Sequence, residues 1–186
     1  MKQPKSYYDV KGSDARIVCL QGGTRSGKTF SILQCLCEWC FTYKNAGYVI
    51  SIVRKSFPSL RASVMRDFLT IIEEQHWYDE AHHNKTEHTY NLFGNLVQFI
   101  SVDMPSKLRG AKHNFVFLNE CTELSLEIFR QISFRCTHKI FIDFNPSEEY
   151  HWLYDVVIPR DDCAFFKSTY KDNPFLNQQT IDEIER

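Results

Sequence analysis

No stretch of this 186-residue sequence stays apolar long enough to form a bilayer-spanning helix. The first nine residues, Met1 to Asp9, are polar and lack the apolar run of a secretory signal, so a cytosolic chain is expected. Low-complexity tracts and internal repeats are also missing. With 43% hydrophobic and 24% charged residues, the composition excludes a disordered chain and suits one sizeable core. A single domain over residues 1–186 is therefore expected. Excess charge of one sign is absent as well: 22 Lys and Arg face 23 Asp and Glu, a net charge of −1, so bulk charge favours no polyanionic partner and only local patches can. Finally, no metal-ligand spacing is found. Among the seven cysteines, Cys35 and Cys37 would point in different directions on a helix, and no matching Cys/His pair follows. The cysteines read as free thiols, and His82, His83 and His88 as surface histidines of a polar loop.

What is present is an alternation of strands and helices. Ile17 to Leu20 is a short apolar run ending in glycines. After it, Lys28 to about Phe41 carries Ile32, Leu33, Leu36 and Cys40 on one helical stripe. Tyr48 to Val53 reads as a second strand, and Pro58 to Glu74 as an amphipathic helix opened by its proline. Thr89 to Leu92 and Leu96 to Ser101, around a turn containing Gly94, read as an inserted β-hairpin. Strands follow at Phe115 to Leu118, Lys139 to Phe144 and Ala164 to Phe166. Helices are expected near Leu124 to Phe134, near Ser147 to Val157 and from about Gln178. Such alternation predicts an α/β fold, a mainly parallel sheet with helices on both faces.

The junction between the first strand and first helix carries the chemistry. In Gly22-Gly23-Thr24-Arg25-Ser26-Gly27-Lys28-Thr29, two glycines bracket four residues and a Lys-Thr pair opens the helix, the spacing of a phosphate-binding loop. Glycines let backbone N–H groups wrap an anion at a helix N-terminus, Lys28 adds charge near the β- and γ-phosphates, and Thr29 can ligate Mg2+. ATP and Mg2+ are the expected cofactors. A nucleotide-hydrolysing loop also needs acidic groups at a neighbouring strand end. Phe115 to Leu118 leads to Asn119 and Glu120. Glu120 is the candidate general base that orients water for in-line attack. Asn119 stands where a carboxylate is usual. Its amide oxygen can reach Mg2+ but brings no charge, and Asp143 is a candidate to help it. On this reading Asn119→Asp should tighten Mg2+·ATP binding. The plainer alternative is a buried strand whose last residue, Glu120, is simply solvated.

The series of motifs resembles the ATPase domain of the large terminase subunit of tailed bacteriophages, and the resemblance covers nearly the whole chain. It rests on the Gly22 to Thr29 loop, Val53 to Arg61, Leu108-Arg109-Gly110, the Asn119-Glu120 strand end, Phe144-Asn145-Pro146, and Ser168 to Phe175. The resemblance implies a P-loop NTPase of the additional-strand catalytic-glutamate type that drives double-stranded DNA into a procapsid in the cytoplasm of an infected bacterium. It further implies a portal protein and a small terminase subunit as partners. The chain alone would be a monomer, and docked on the portal a homo-oligomeric ring.

Roles for individual residues come with the resemblance. Arg25 would face the phosphates. Arg109 would be an arginine finger for a neighbouring subunit's ATP, the alternative being a surface arginine. Asn145 would sense the γ-phosphate from a strand beside the loop strand, the alternative being an ordinary Asn-Pro turn. Arg54, Lys55, Arg61 and Arg66 form one basic region and Lys107, Arg109, Lys112 and His113 another; either could contact DNA phosphates or be a solvated face. Tyr7, Tyr8 and Gln21 are weak candidates for the adenine pocket. The metal-dependent nuclease domain usual in the family is not expected in this chain. A module that binds nucleotide with little hydrolysis, or another P-loop enzyme such as a helicase, are the competing readings.

Overall fold

Ile17 to Gly22 form strand β1, and it lies in the interior of a sheet with parallel neighbours on both sides. That position explains its near-continuous apolar run: a strand covered on both faces has no solvent side to make polar. In the computed structural model the described residues are 3–103, 112–146 and 151–185. The helix α1 (Lys5–Gly12) precedes β1, and α2 (Lys28–Thr42), β2 (Val49–Arg54), α3 (Phe57–Leu60) and α4 (Arg66–Glu74) follow. Then come β3 (His83–Asn84), β4 (Thr89–Leu92), β5 (Asn95–Ser101), β6 (His113–Leu118), α5 (Leu126–Arg135), β7 (Cys136–Phe144), β8 (Cys163–Ser168) and α6 (Gln178–Glu185).

The eight strands form one sheet in the order β3-β4-β5-β2-β6-β7-β1-β8. Among the described residues, the β3–β4 and β4–β5 pairs are antiparallel and the other pairs are parallel. The expected hairpin is therefore β4–β5, and its second strand also joins the parallel sheet beside β2, from Val49↔Leu96 to Arg54↔Ser101. As expected of the Lys139 to Phe144 strand, β7 lies beside the loop strand, with Ile17 opposite Ile140 and Gln21 opposite Phe144. Because β1, β2, β6 and β7 are parallel, the ends at Gly22, Arg54, Leu118 and Phe144 share one edge, where ligands bind open α/β sheets.

Alternation along β1 divides the core in two. Val18 and Leu20 pack with Ile32, Leu33 and Leu36 of α2 and with Phe68 and Ile72 of α4. Ile17 and Cys19 pack on the opposite face with Phe129 and Ile132 of α5 and with Leu153 and Val157. Each fully buried aliphatic or aromatic side chain of this kind contributes about 1.5–3 kcal/mol. The seven cysteines are free thiols, six of them buried, as core residues rather than ligands. No helix among the described residues is long and apolar enough to cross a membrane.

Three local features differ from the sequence pattern. Lys5–Gly12 is helical although it lacks an apolar stripe; Tyr7 and Val10 are buried against α2 and Ser6 bonds Ser31 at 2.8 Å. The helical run after Pro58 is interrupted by a π-helical turn at Arg61–Met65. His113, read as part of a basic surface, is instead fully buried, with Nδ1 2.5 Å from Ser51 Oγ. It cannot belong to a DNA-contacting face. Lys107, Arg109 and residues 147–150 of the expected helix near Ser147 lie outside the described residues; Leu153–Val157 forms a π-helical turn.

Candidate phosphate site

Gly22 ends β1 where no side chain fits. A Cβ there would lie 2.6 Å from Ser26 Oγ and 2.7 Å from both the carbonyl oxygen and Oγ of Ser168, so the loop folds back against β8 only with glycine. Gly27, at φ +83°, precedes α2 in the left-handed region that glycine adopts without strain. No side chain caps that helix end, which leaves its first N–H groups for an anion. Two distant segments brace the loop. Pro4 packs at Gly27, where a Cβ would stand 3.2 Å from its ring, and Asn173 Nδ2 donates to the Arg25 carbonyl at 2.9 Å. The Ser168 to Phe175 motif thus has a structural purpose against the phosphate loop. Arg25 itself is exposed at φ +68°.

Lys28 is buried to 5% exposure, and its ammonium donates to Asn145 Oδ1 at 2.7 Å and to the Gly23 carbonyl at 3.5 Å. The lysine and the β7 asparagine expected from sequence are therefore in contact.

The centre of the site is Asp143, which has no exposed surface. One carboxylate oxygen accepts the Glu120 backbone N–H at 2.7 Å, the other accepts the Thr29 hydroxyl, and Asn119 Nδ2 lies 3.0 Å from both. Burial pushes this carboxyl above the usual carboxylate range; the charge of Lys28 and the three donors pull partly against that. Asn119 is 2% exposed, and its Oδ1 is buried without a hydrogen-bond partner among the described residues.

Glu120 occupies the left-handed region at φ 50°, ψ 56°, a conformation unusual for a side-chain-bearing residue and common at functional sites. Its carboxyl is also held above the ordinary range, first by burial, then by repulsion from Asp143, with Lys28 and Arg54 opposing. Arg54, at the end of β2, donates to Ser63 of the π-helical turn and sits 3.8 Å from a Glu123 oxygen, an ion pair without a direct hydrogen bond.

The sheet thus brings together the Gly22 to Thr29 loop, Asn119, Glu120 and Asn145. Arg109 falls outside the described residues. The candidates for an adenine pocket do not converge: Tyr7 OH donates to Glu38 at 2.7 Å, Tyr8 is exposed, and Gln21 Nε2 donates to the Tyr154 hydroxyl at 3.0 Å. Sequence reading underrated Asp143, although a carboxylate inside Ile140-Phe141-Ile142-Asp143-Phe144 was itself a signal, since a buried charge needs partners or a task. The bracing by Pro4 left no local signal, and the Ser168 to Phe175 motif did not show what Asn173 would touch.

A family model for the phage terminase large subunit matches residues 14–186. The large terminase of a thermophilic bacteriophage, solved in complex with ADP, is 19% identical, with 99% of this chain and 50% of that one covered at a TM-score of 0.82. The Thermus phage P74-26 large terminase ATPase domain is 17% identical over 89% of this chain and 80% of that one, with a TM-score of 0.68. The bacteriophage HK97 large terminase is 13% identical over 92% and 38%, with a TM-score of 0.63. At these identities the likeness is one of fold, and the chain spans about half the length of the thermophilic phage protein. No curated protein matches. The family match over nearly the whole chain, on a sheet whose strand order gathers the phosphate loop and Glu120 at one edge, means that the chain belongs to the phage terminase large subunit family.

Proposed function

We propose that this chain is the ATP-hydrolysing domain of a DNA-packaging motor that drives double-stranded DNA into a procapsid. The observation that carries the proposal is the convergence of Lys28, Thr29, Asn119, Glu120 and Asn145 on the Asp143 carboxylate and the loop that precedes α2. The thermophilic phage terminase, solved in complex with ADP and with ATP-gamma-S, supports nucleotide binding by this fold.

On this reading the N–H groups of Gly22 to Thr29 cradle the phosphates and Lys28 neutralises the β- and γ-oxygens. The γ-phosphate competes with Asn145 Oδ1 for the Lys28 ammonium, so nucleotide occupancy is transmitted to β7 as the loss of one 2.7 Å hydrogen bond. Glu120 orients and deprotonates the attacking water; its raised pKa makes it a stronger base than an ordinary glutamate. Arg25 and, from a neighbouring subunit, Arg109 stabilise charge developing on the phosphoryl group.

The oxygen donors gathered here fit Mg2+: the Thr29 hydroxyl, the unpartnered Asn119 Oδ1 and the Asp143 carboxylate are the hard ligands this cation takes. Mg2+ takes few protein ligands and keeps several waters, so the nucleotide's phosphates and water would complete the set. Thr29 and the bonded pair of Asn119 and Asp143 would hold the ion, and when bound it supplies charge neutralisation on the phosphates.

Double-stranded DNA, a portal protein, a small terminase subunit and further copies of this chain in a ring are the partners this function requires. Steady-state phosphate release with Mg2+ tests the proposal. Wild type should turn over slowly alone and faster with DNA or assembly partners, while Lys28→Ala and Glu120→Gln fall by about 100-fold or more. A wild type that binds ATP but turns over no faster than Glu120→Gln would replace the enzyme by a nucleotide-dependent binding module.

A further inference from the structure

At the end of β6, where a carboxylate is usual, this chain has the neutral Asn119. One strand over, β7 places Asp143, whose Oδ1 and Oδ2 are both 3.0 Å from Asn119 Nδ2. The acid and the amide form a single buried unit, so the site contains its carboxylate, displaced from β6 to β7. Three contacts fix what that carboxylate can do. It accepts the hydroxyl of Thr29, the loop residue suited to Mg2+, which commits the hydroxyl proton to Asp143 and leaves its oxygen lone pairs for a cation. It accepts the backbone N–H of Glu120, which ties the general base to the same group. Its direct side-chain partners, Asn119 and Thr29, are neutral, Lys28 is the nearby cation, and the one other carboxyl of the cluster, Glu120, is only partly buried, so Asp143 is its fully buried acid.

We infer that Asp143 is the metal-supporting carboxylate of this site and that Asn119 is its neutral lock, a division of labour reversed from the one expected of the two strand ends. The inference rests on the nucleotide site proposed above. Asp143 acts as a positioning residue: it orients Thr29 and supplies the negative charge that makes the loop mouth selective for a divalent cation. Asn119 holds both carboxylate oxygens with its one amide nitrogen, so the charge can stay buried without a salt bridge. A carboxylate at both positions would put like charges 3.0 Å apart.

The arrangement also explains why the site tolerates Asn119. Metal affinity is set by the charge near Thr29, and the charge is the same whichever strand carries it. Interchange of the two residues is therefore the decisive test, because it moves the charge back to β6 while the hydrogen-bonded pair is kept.

Calorimetric titration of the whole chain with ATPγS, in Mg2+ and in EDTA, reads the effect without turnover. Wild type should bind more tightly in Mg2+. Asp143→Asn should lose roughly 10- to 100-fold in Mg2+ and stay within about threefold of wild type in EDTA. The exchange Asn119→Asp/Asp143→Asn should recover most of the Mg2+ effect. Full Mg2+ dependence in a folded Asp143→Asn overturns the inference, as does an equal loss with and without Mg2+, which is what a merely structural residue would give. An exchange no better than the single variant also overturns it, and decides the matter alone if Asp143→Asn does not fold. Wild type that binds no ATPγS in either buffer takes down the nucleotide site itself, a failure visible before residue 143 is touched.

Discussion

Gly22 and Gly23 are adjacent in sequence yet face different surroundings. A Cβ on Gly22 would enter the space held by Ser26 and Ser168, whereas one on Gly23 would meet nothing within 4 Å. Gly22→Ala should therefore cost about 1–3 kcal/mol by overpacking and displace the loop from β8, while Gly23→Ala should stay within about 0.5 kcal/mol in chemical denaturation. Equal effects would show that the loop is not pinned against β8. The same scale governs pH. Asp143 titrates higher in the fold than in the unfolded chain, so between the two pKa values the native state binds the extra proton. Stability must then fall as pH rises through that window, which begins near the unfolded value of about 3.9. Asp143→Asn removes the titration. Measured in a chelator, the variant should gain on wild type as pH rises through the window, and the gap should level off above the folded pKa. A gap that is flat with pH would mean that burial does not raise this carboxyl.

Between elements, Asn95 joins three chain segments. From a fully buried position its Oδ1 accepts the Tyr48 N–H at 3.0 Å, and its Nδ2 donates to the carbonyls of Cys40 and Tyr43 at 3.3 and 3.0 Å. It thus closes the end of α2 on the start of β2 and on the hairpin. Asn95→Asp keeps the acceptor but aims a second carboxylate oxygen at two carbonyls, and should destabilise by about 2–4 kcal/mol in equilibrium unfolding; a loss below about 0.5 kcal/mol would place the junction elsewhere. This residue illustrates the limit of sequence reading. The strand–loop–helix unit from Ile17 to Thr42, the β4–β5 hairpin and the end of β6 were legible because spacing and alternation are local properties. Gly22 to Thr29 and Glu120 were legible for the same reason. Asn95 reads as part of a turn, and His113 and Arg54 as members of basic regions that contact DNA or form a solvated face, because each is defined by partners far along the chain: Cys40, Ser51 and Glu123. Helix α1 escaped detection since its order comes from Tyr7 and Val10 packing on α2, not from its own periodicity.

Across the whole molecule a net charge of −1 gives no general attraction to DNA, so affinity has to come from a local face. The π-helical turn and its flanks carry the basic region expected from sequence, and it is the candidate for such a face. Lys55, Arg61 and Arg66 are exposed, Arg66 partly engaged with Asp67 at 3.0 Å. Arg54 is set apart from them, with its side chain only 16% exposed and bound to Ser63 and near Glu123. A phosphate contact releases counterions and adds about 0.9 to the slope of log K against log salt, whereas an arginine that stays with its partners within the protein adds nothing to that slope. The basic region therefore divides into two functions that salt can separate. In anisotropy titrations of a short duplex over a range of salt, Lys55→Ala and Arg61→Ala should each lower the slope by about 0.9 and leave DNA-independent phosphate release unchanged. Arg54→Ala should leave the slope alone and alter phosphate release, since it removes one of the two cations that oppose the raised pKa of Glu120. Slopes that stay constant in the first two variants would remove this face from the DNA path. A lowered slope in the third would mean that Arg54 leaves Ser63 and Glu123 to take a phosphate, linking the DNA-binding face directly to the general base.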